Sequence, residues 1–445
     1  MKYHLIAVGG SIMHNLAIDL QDLGHQVSGS DDEIYEPSRS RLAQQGLLPP
    51  AMGWYPSNIT SDIDQIILGK HAKHDNPELA KAQQLGLSIV SFPEFVSRST
   101  TATQRIAVTG SHGKTTTTAM IMYALKKANL DFDYLVGAQI KGYEKMVRLS
   151  GADILVVEGD EYPSSCLDNR AKMLHYDANV SILTGVDWDH VNIYKTYEDY
   201  LDIFRAYLQK SKKGDLLFFD QADPAVLDLV LQSSAACTRI GYEPLIVNKK
   251  SEVQLEDQSF PIAIFGQHNL KNLHAALMAC EQIGICKADF LGYMSDFTGA
   301  AKRLECIHNS DELVIYKDFA HAPSKAKATA AAIRSKFRIH KIFGVLELHT
   351  YSSLQMEFIE QYADTLSPLD KVVVYFDPAQ LALKRMPALD VVAVAAAFRH
   401  SQLTVVNDTE HLQESLSRVL HGNYEVVLLM SSGNLGGIDP LSLLS

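Results

Sequence analysis

Val108-Thr109-Gly110-Ser111-His112-Gly113-Lys114-Thr115-Thr116 is the stretch whose reading decides the fold. A β-branched strand runs into it and a helical stretch, Thr116–Lys127, runs out. Glycines at 110 and 113 let the backbone turn so that successive N–H groups point at phosphate oxygens, and the helix N-terminus adds a favourable dipole. Lys114 reaches the outer phosphates in such a loop, and the Thr115 hydroxyl faces a magnesium ion. The full pattern wants its first glycine further back, near Val108, so this is a shortened loop. It places the chain among α/β nucleotide-binding folds.

Outward from the loop, apolar strand-like runs alternate with helical stretches, as parallel sheets require. Strands are expected at Tyr3–Val8, Gln26–Ser28, Gln65–Leu68 and Leu87–Val90 in a first unit. Ile106–Thr109, Ile154–Glu158, Val180–Thr184 and Leu216–Phe219 form a second, closed by the helix Leu270–Gln282. Leu313–Tyr316, Ile342–Leu346, Lys371–Tyr375 and Glu425–Met430 form a third. The polar stretch Ser97–Gln104 reads as the first linker. Three α/β domains follow, over residues 1–100, 101–297 and 298–445: a Rossmann-like unit, a phosphate-loop unit and a second Rossmann-like unit.

Acidic residues mark the ligand side. Ile154–Val157 runs into Glu158-Gly159-Asp160-Glu161, and Val180–Thr184 leads to His190. Side chains at the carboxyl ends of parallel strands face the ligand crevice, and a hard carboxylate oxygen is what Mg²⁺ requires. Either residue alone is ordinary; the loop gives them meaning.

Composition narrows the function classes. The 445 residues carry a formal net charge of −12, which argues against a nucleic-acid partner. No window approaches a membrane span. The five cysteines are scattered with no C-x-x-C pair, which suits reduced thiols; with no signal-peptide pattern, a cytoplasmic protein is expected. No zinc spacing and no serine-hydrolase elbow appear.

Taken together these residues resemble the Mur ligases of bacterial cell-wall synthesis, over nearly the whole chain. The loop from Thr109 to Thr115 is similar to the family's T-G-T-H-G-K-T. The resemblance implies Gly110, Ser111, His112, Gly113, Lys114, Thr115 and Thr116 as the ATP loop, with Glu158 and His190 joining Thr115 around Mg²⁺. Gly266-Gln267-His268-Asn269-Leu270-Lys271-Asn272 is similar to the adenine motif, which implies Asn269 and Asn272 at the base. Arg303 matches the arginine that reaches the transferred phosphate, and Asp318 a residue near the ribose. Catalysis would then rest on Lys114, Arg303, Glu158 and His190.

At the N-terminus, Ala7-Val8-Gly9-Gly10-Ser11-Ile12-Met13 followed by Gly29-Ser30-Asp31 resembles the UDP-sugar site of two family branches. It implies Gly9, Gly10, Ser11, Ser30 and Asp31 as substrate residues; Lys70, His71 and His349 are further candidates. One branch attaches L-alanine to UDP-N-acetylmuramate. The other, a recycling branch, attaches the tripeptide L-alanyl-γ-D-glutamyl-meso-diaminopimelate. Glu158–Tyr162, Asp168–Lys172, His175-Tyr176 and Met430–Ile438 resemble the recycling branch, which is the reading preferred. The resemblance implies an ATP-dependent amide ligase working through an acyl phosphate, as a monomer or weak homodimer.

The chain departs from the pattern in places. Ala7 replaces a glycine, Lys317 an aspartate and Ala322 a histidine. Glu347-Leu348-His349-Thr350-Tyr351 stands where the recycling branch has E-P-R-S-N. Arg205 stands near where other branches carry a carbamylated lysine. The rival readings are a folate-polyglutamate-type ligase, against which the N-terminal glycine unit argues, and an ATP-responsive binding protein, which need not keep phosphate-transfer residues.

Overall fold

The structure is a computed structural model that describes residues 1–191, 193–299 and 303–444. Among the described residues it holds three large sheets and a two-stranded hairpin. The first is parallel, with strands β1 (Lys2–Ile6), β2 (Gln26–Ser30), β3 (Gln65–Leu68) and β4 (Ser88–Ser91) in the order β2-β1-β3-β4. The second contains β5 (Gln104–Thr109), β6 (Asp133–Leu135), β7 (Val147–Arg148), β8 (Ile154–Gly159), β9 (Val180–Leu183), β10 (Leu216–Asp220) and β11 (Thr238–Tyr242). Their order is β11-β10-β9-β5-β8-β6-β7, and β7 runs antiparallel to β6. After a hairpin of β12 (Glu252–Leu255) and β13 (Gln258–Pro261) comes the third sheet. It is built from β14 (Glu305–Asn309), β15 (Val314–Asp318), β16 (Ile342–Glu347), β17 (Lys371–Tyr375), β18 (Leu403–Val406) and β19 (Val426–Met430). Their order is β14-β15-β19-β16-β17-β18, with β14 antiparallel.

Contacts divide the chain into two compact units. The first holds sheets one and two. The second holds the hairpin, the third sheet and the segment Asp187–Tyr197. Within the first unit one apolar core is continuous across both sheets, from Leu16 and Leu20 of the helix Ser11–Asp22 to Val147, Leu149 and Val157. That helix also buries Asn15 and Asp19, polar residues that a core normally rejects unless they are hydrogen-bonded. Both are: Asn15 accepts the Met146 N–H at 3.0 Å and Asp19 the Leu149 N–H at 2.8 Å. They occupy the edge of the second sheet, which would otherwise present open backbone groups.

In the second unit the sheet is covered on both faces. Ile342, Leu346, Val372 and Val374 belong to one apolar layer, and Phe343, Val345, Val373 and Tyr375 to the other. That alternation produces the continuous apolar runs of buried parallel strands.

Three α/β sheets match the expected fold class. The strands at Gln65–Leu68 and Lys371–Tyr375 coincide with their sequence readings. The linker is shorter than expected: a helix over Phe92–Ser99 takes in the first part of Ser97–Gln104, and β5 begins at Gln104. Pro93 near the start of that helix, with Phe92, Phe95 and Val96 buried, supplies the helical face that a polar composition concealed. Among the described residues no helix is long and apolar enough to cross a membrane.

Candidate active site

The phosphate-type loop leaves β5 at Thr109 and enters a helix that starts at Lys114 and runs to Lys127. Gly110 and Gly113 have φ of 125° and 77°, a region that side chains rarely adopt. The loop is braced from β9. The Thr184 hydroxyl donates to Thr109 O at 2.9 Å and closely to His112 O, and the Ser111 N–H donates to Gly185 O at 2.9 Å. The His112 ring lies so near Gly185 that a Cβ there would come within 2.0 Å of it. Ser111 Oγ is 3.0 Å from His112 Nδ1. Thr116 is buried in the first helical turn.

Lys114 is the charge at the centre. Its ammonium donates to Glu161 at 2.8 Å and to the Gly110 carbonyl. Burial disfavours the charged form, but Glu161, Asp160 and Glu158 outweigh it, so the pKa is raised and the lysine stays protonated. Glu161 is held from its other side by the Tyr200 hydroxyl at 3.1 Å. Thr115 Oγ donates to Glu158 at 3.2 Å. A hydroxyl and a buried carboxylate side by side make an all-oxygen donor set, the kind Mg²⁺ takes.

In the first sheet, Asp31 accepts the Gly9 N–H at 2.7 Å and so fixes the turn leading to Gly10 and Ser11. Burial raises the Asp31 carboxyl to about 7. Ser11 Oγ lies 3.4 Å from Met146 Sδ. Ser30 sits otherwise than its motif suggests: its hydroxyl is turned into the domain, onto the buried Glu78 carboxylate. Ala7, where the pattern has glycine, adopts φ of 68°, a conformation that costs an alanine about 1 kcal/mol. Lys70 is half-buried and His71 exposed, just beyond β3.

The expected adenine residues differ in setting. Asn272 lies over the loop, where a Cβ on Gly113 would come within 2.5 Å of its Oδ1. Asn269 donates to Phe265 O at 3.0 Å, back along its own chain.

In the second unit His190 has φ of 55°, and its carbonyl accepts the Ile193 and Tyr194 N–H groups. Its neighbour Asp189 pairs with Lys325 at 3.2 Å. The Arg303 guanidinium lies over the Phe319 ring, 4.8 Å from its centre. Asp318 accepts the Leu304 and Ala320 N–H groups, each at 2.6 Å; burial raises its pKa against the pull of Arg303. It therefore holds the turn that presents Arg303. At the carboxyl ends of β16, β17 and β19, buried Glu347 accepts the Leu435 N–H at 3.0 Å and the Ser431 hydroxyl. His349 Nδ1 is 3.7 Å from Glu347, and burial lowers the pKa values of His349 and Lys384 alike.

Known proteins resemble the chain over nearly its whole length. Family models match in succession: "Mur ligase family, catalytic domain" over residues 2–103, "Mur ligase middle domain" over 108–280, and "Mur ligase, glutamate ligase domain" over 302–433. A UDP-N-acetylmuramate–L-alanine ligase of Caldicellulosiruptor saccharolyticus is 30% identical over 393 residues, covering 84% of this chain and 83% of the relative. The chain belongs to the Mur ligase family.

As a Mur ligase it is an ATP-dependent enzyme that forms amide bonds. Solved structures share the fold throughout. A murein peptide ligase from Psychrobacter arcticus has a TM-score of 0.70 at 21% identity, covering 100% of this chain and 98% of that one. A UDP-N-acetylmuramate-alanine ligase from Thermotoga maritima has a TM-score of 0.70 at 20% identity, covering 100% and 97%.

A cavity of about 380 Å³ lies elsewhere in this Mur ligase, at the amino-terminal ends of β5, β9 and β10, beside Arg105, Tyr207 and Lys210. The loop, Lys114 and Glu158 sit at the opposite, carboxyl ends of the same sheet, where parallel folds bind ligands. Residues that the sequence reading passed over are Glu161, Thr184, Tyr200 and Asn15. Glu161 had a signal, as the third acidic position of one strand end; the others carry only their buried polarity.

Proposed function

We propose that this Mur ligase joins UDP-N-acetylmuramate to the tripeptide L-alanyl-γ-D-glutamyl-meso-diaminopimelate at the expense of ATP. The supporting observation is the segment after β8. Pro163 bridges Ala171, the Ser164 N–H and hydroxyl both donate to Arg170 O, and Arg170 grips Asp168 through two bonds of 2.9 and 2.8 Å. His175 Nε2 lies 3.0 Å from the same carboxylate. This hydrogen-bonded segment is one of the two stretches in which the sequence resembles the recycling branch closely, and it follows Glu158 in the chain.

The chemistry follows from the difficulty of the bond. Oxide is a poor leaving group, so an amine does not displace it from a carboxylate. In the proposed reaction a muramoyl carboxylate oxygen attacks the γ-phosphorus and ADP departs, leaving an acyl phosphate. The peptide amine then attacks the acyl carbon, phosphate leaves and the amine loses a proton. Lys114 and Arg303 balance charge on the phosphoryl group in flight. Thr115, Glu158 and His190 would hold Mg²⁺, which supplies further positive charge at the phosphates. Asn269 and Asn272 serve the nucleotide, and Gly9, Gly10, Ser11 and Asp31 the UDP end. The mixed-sign cluster of Glu347, His349 and Lys384 suits the charged groups of an incoming peptide.

A second reading has its own support. The curated relative at 30% identity is named an L-alanine ligase. The deciding experiment is phosphate release with ATP, Mg²⁺ and UDP-N-acetylmuramate, adding the tripeptide or L-alanine. Turnover with the tripeptide alone is expected. Turnover with L-alanine alone would move the chain to the other branch.

A further inference from the structure

Beside the phosphate-type loop, two lysines from different sheets converge on one ring. Lys70 follows β3 of the first sheet, and its ammonium is 5.8 Å from the centre of the Tyr162 ring. Lys172 comes from the insert after β8, and its ammonium is 5.7 Å from the same centre. Lys172 is anchored: it donates to Asp160 at 2.6 Å, its own N–H donates to Tyr162 O at 3.0 Å, and it lies 5.5 Å from the Phe92 ring centre. Lys70 differs. Among the described residues no carboxylate stands within ion-pair distance of it; its ammonium lies over the Tyr162 ring, and Cys166 and Lys172 are the groups that act on its charge.

A half-buried ammonium that feels a second cation and has no carboxylate in ion-pair reach is an uncommon arrangement, because burial disfavours the charge and the neighbour repels it. Burial indeed lowers the Lys70 pKa, and the Lys172 charge lowers it further against an opposing pull from Cys166. An anionic ligand would relieve both effects. The position indicates which anion. Asp160, the partner of Lys172, is also among the carboxylates that act on Lys114. The pair therefore stands one carboxylate away from the phosphate-transfer lysine, at the reacting end of the site.

We infer that Lys70 and Lys172, spaced by Tyr162, form the receptor for the lactyl carboxylate of the UDP-sugar substrate. This rests on the proposal that the chain takes UDP-N-acetylmuramate. Lys172 and Tyr162 become substrate residues, and Asp160 positions Lys172. Because Lys70 follows the first sheet and Lys172 the second, the receptor is complete only when both sheets are in place, as they are within the first unit.

UDP-N-acetylglucosamine carries the same diphosphate and lacks the lactyl carboxylate, so it separates the two anions. Calorimetric titration of the full chain with each UDP sugar, without peptide, gives the preference of the wild type for the muramyl form. Lys70→Gln, which breaks no ion pair among the described residues, should reduce that preference about tenfold or more, the worth of one charge-assisted hydrogen bond. It should leave UDP-N-acetylglucosamine binding unchanged. Lys172→Gln should act in the same direction. Equal losses for both sugars would move the pair to the diphosphate and overturn the carboxylate assignment. An unchanged preference in both variants would make the cluster structural and overturn it as well. A wild type that binds neither sugar would instead remove the proposed substrate itself.

Discussion

Asp19, in a helix of the first sheet's layer, accepts the Leu149 N–H next to the edge strand of the second sheet at 2.8 Å. Its other oxygen takes the Lys145 ammonium. One buried side chain thus closes a sheet edge and neutralises a half-buried lysine. With Asn15 on the Met146 N–H, it ties the helix beside the first sheet to the edge of the second, within one compact unit.

Replacing Asp19 by alanine leaves the Leu149 amide without its partner and the Lys145 ammonium with Asp22 alone, at 2.8 Å. Breaking a buried pair from one side costs about 3 kcal/mol or more. Asp19→Ala should lose that amount in urea unfolding followed by circular dichroism. Asp19→Asn, which can still accept from Leu149, should lose about half as much, since only the charge is gone. An alanine variant within about 1 kcal/mol of wild type would show that the edge is held by apolar packing instead.

Gly185 carries the His112 ring on its bare backbone and accepts the Ser111 N–H. A methyl group at that position must displace the ring and with it the loop. Gly185→Ala should keep the fold and raise the KM for ATP about tenfold or more, since a shift of about 1 Å in a positioned loop costs up to a hundredfold. Nucleotide titration of the variant measures this. An unchanged affinity would mean that the loop yields without loss.

His321 sets a pH limit for the second unit. Burial, then the charge of Lys325, lowers its pKa to about 3. Its Nδ1 lies 2.8 Å from Phe319 O, and its carbonyl accepts the Tyr362 hydroxyl. The folded value lies below the ordinary 6.5, so the unfolded chain binds more protons between the two. This stabilisation is present above pH 6.5 and is lost as pH falls towards 3. Because the ring keeps some exposure, the loss should be about 1–2 kcal/mol rather than the full linkage value. Denaturant melts at pH 7 and pH 4.5 should show it, and His321→Gln should flatten the difference. A variant with the wild-type slope would assign acid sensitivity to other groups.

Much of this architecture was legible because periodic apolar runs and glycine turns are local signals. β16 and β19 read as strands since both faces are buried, and Gly110–Lys114 read as a loop since few other structures need that spacing. Elements whose residues look polar were missed. β14, Glu305-Cys306-Ile307-His308-Asn309, is an antiparallel edge with no apolar run, and the hairpin of β12 and β13 is largely exposed. The site had the same division. Glu158 announced itself by following an apolar strand, whereas Tyr200 reaches Glu161 across 39 residues and no spacing rule would pair them. Ser30 shows what a motif leaves open, since it gives a residue type but not the side to which its hydroxyl turns.

The relation of Lys114 to Glu161 gives the sharpest test of the site. Lys114→Met removes the cation that balances the transferring phosphoryl group, and should lower kcat about a hundredfold or more. Glu161→Gln keeps the shape and the Tyr200 bond but withdraws the charge that fixes the lysine, so its loss should be smaller and should also fall on kcat. If Glu161 works only by positioning Lys114, the double variant should be no slower than Lys114→Met, because residues that act as a unit are not additive. Single-turnover formation of ADP in the three variants reads this out. A double variant slower by the product of the single losses would give Glu161 a task independent of the lysine. A Lys114→Met enzyme with near-normal turnover would remove the phosphate-transfer assignment altogether.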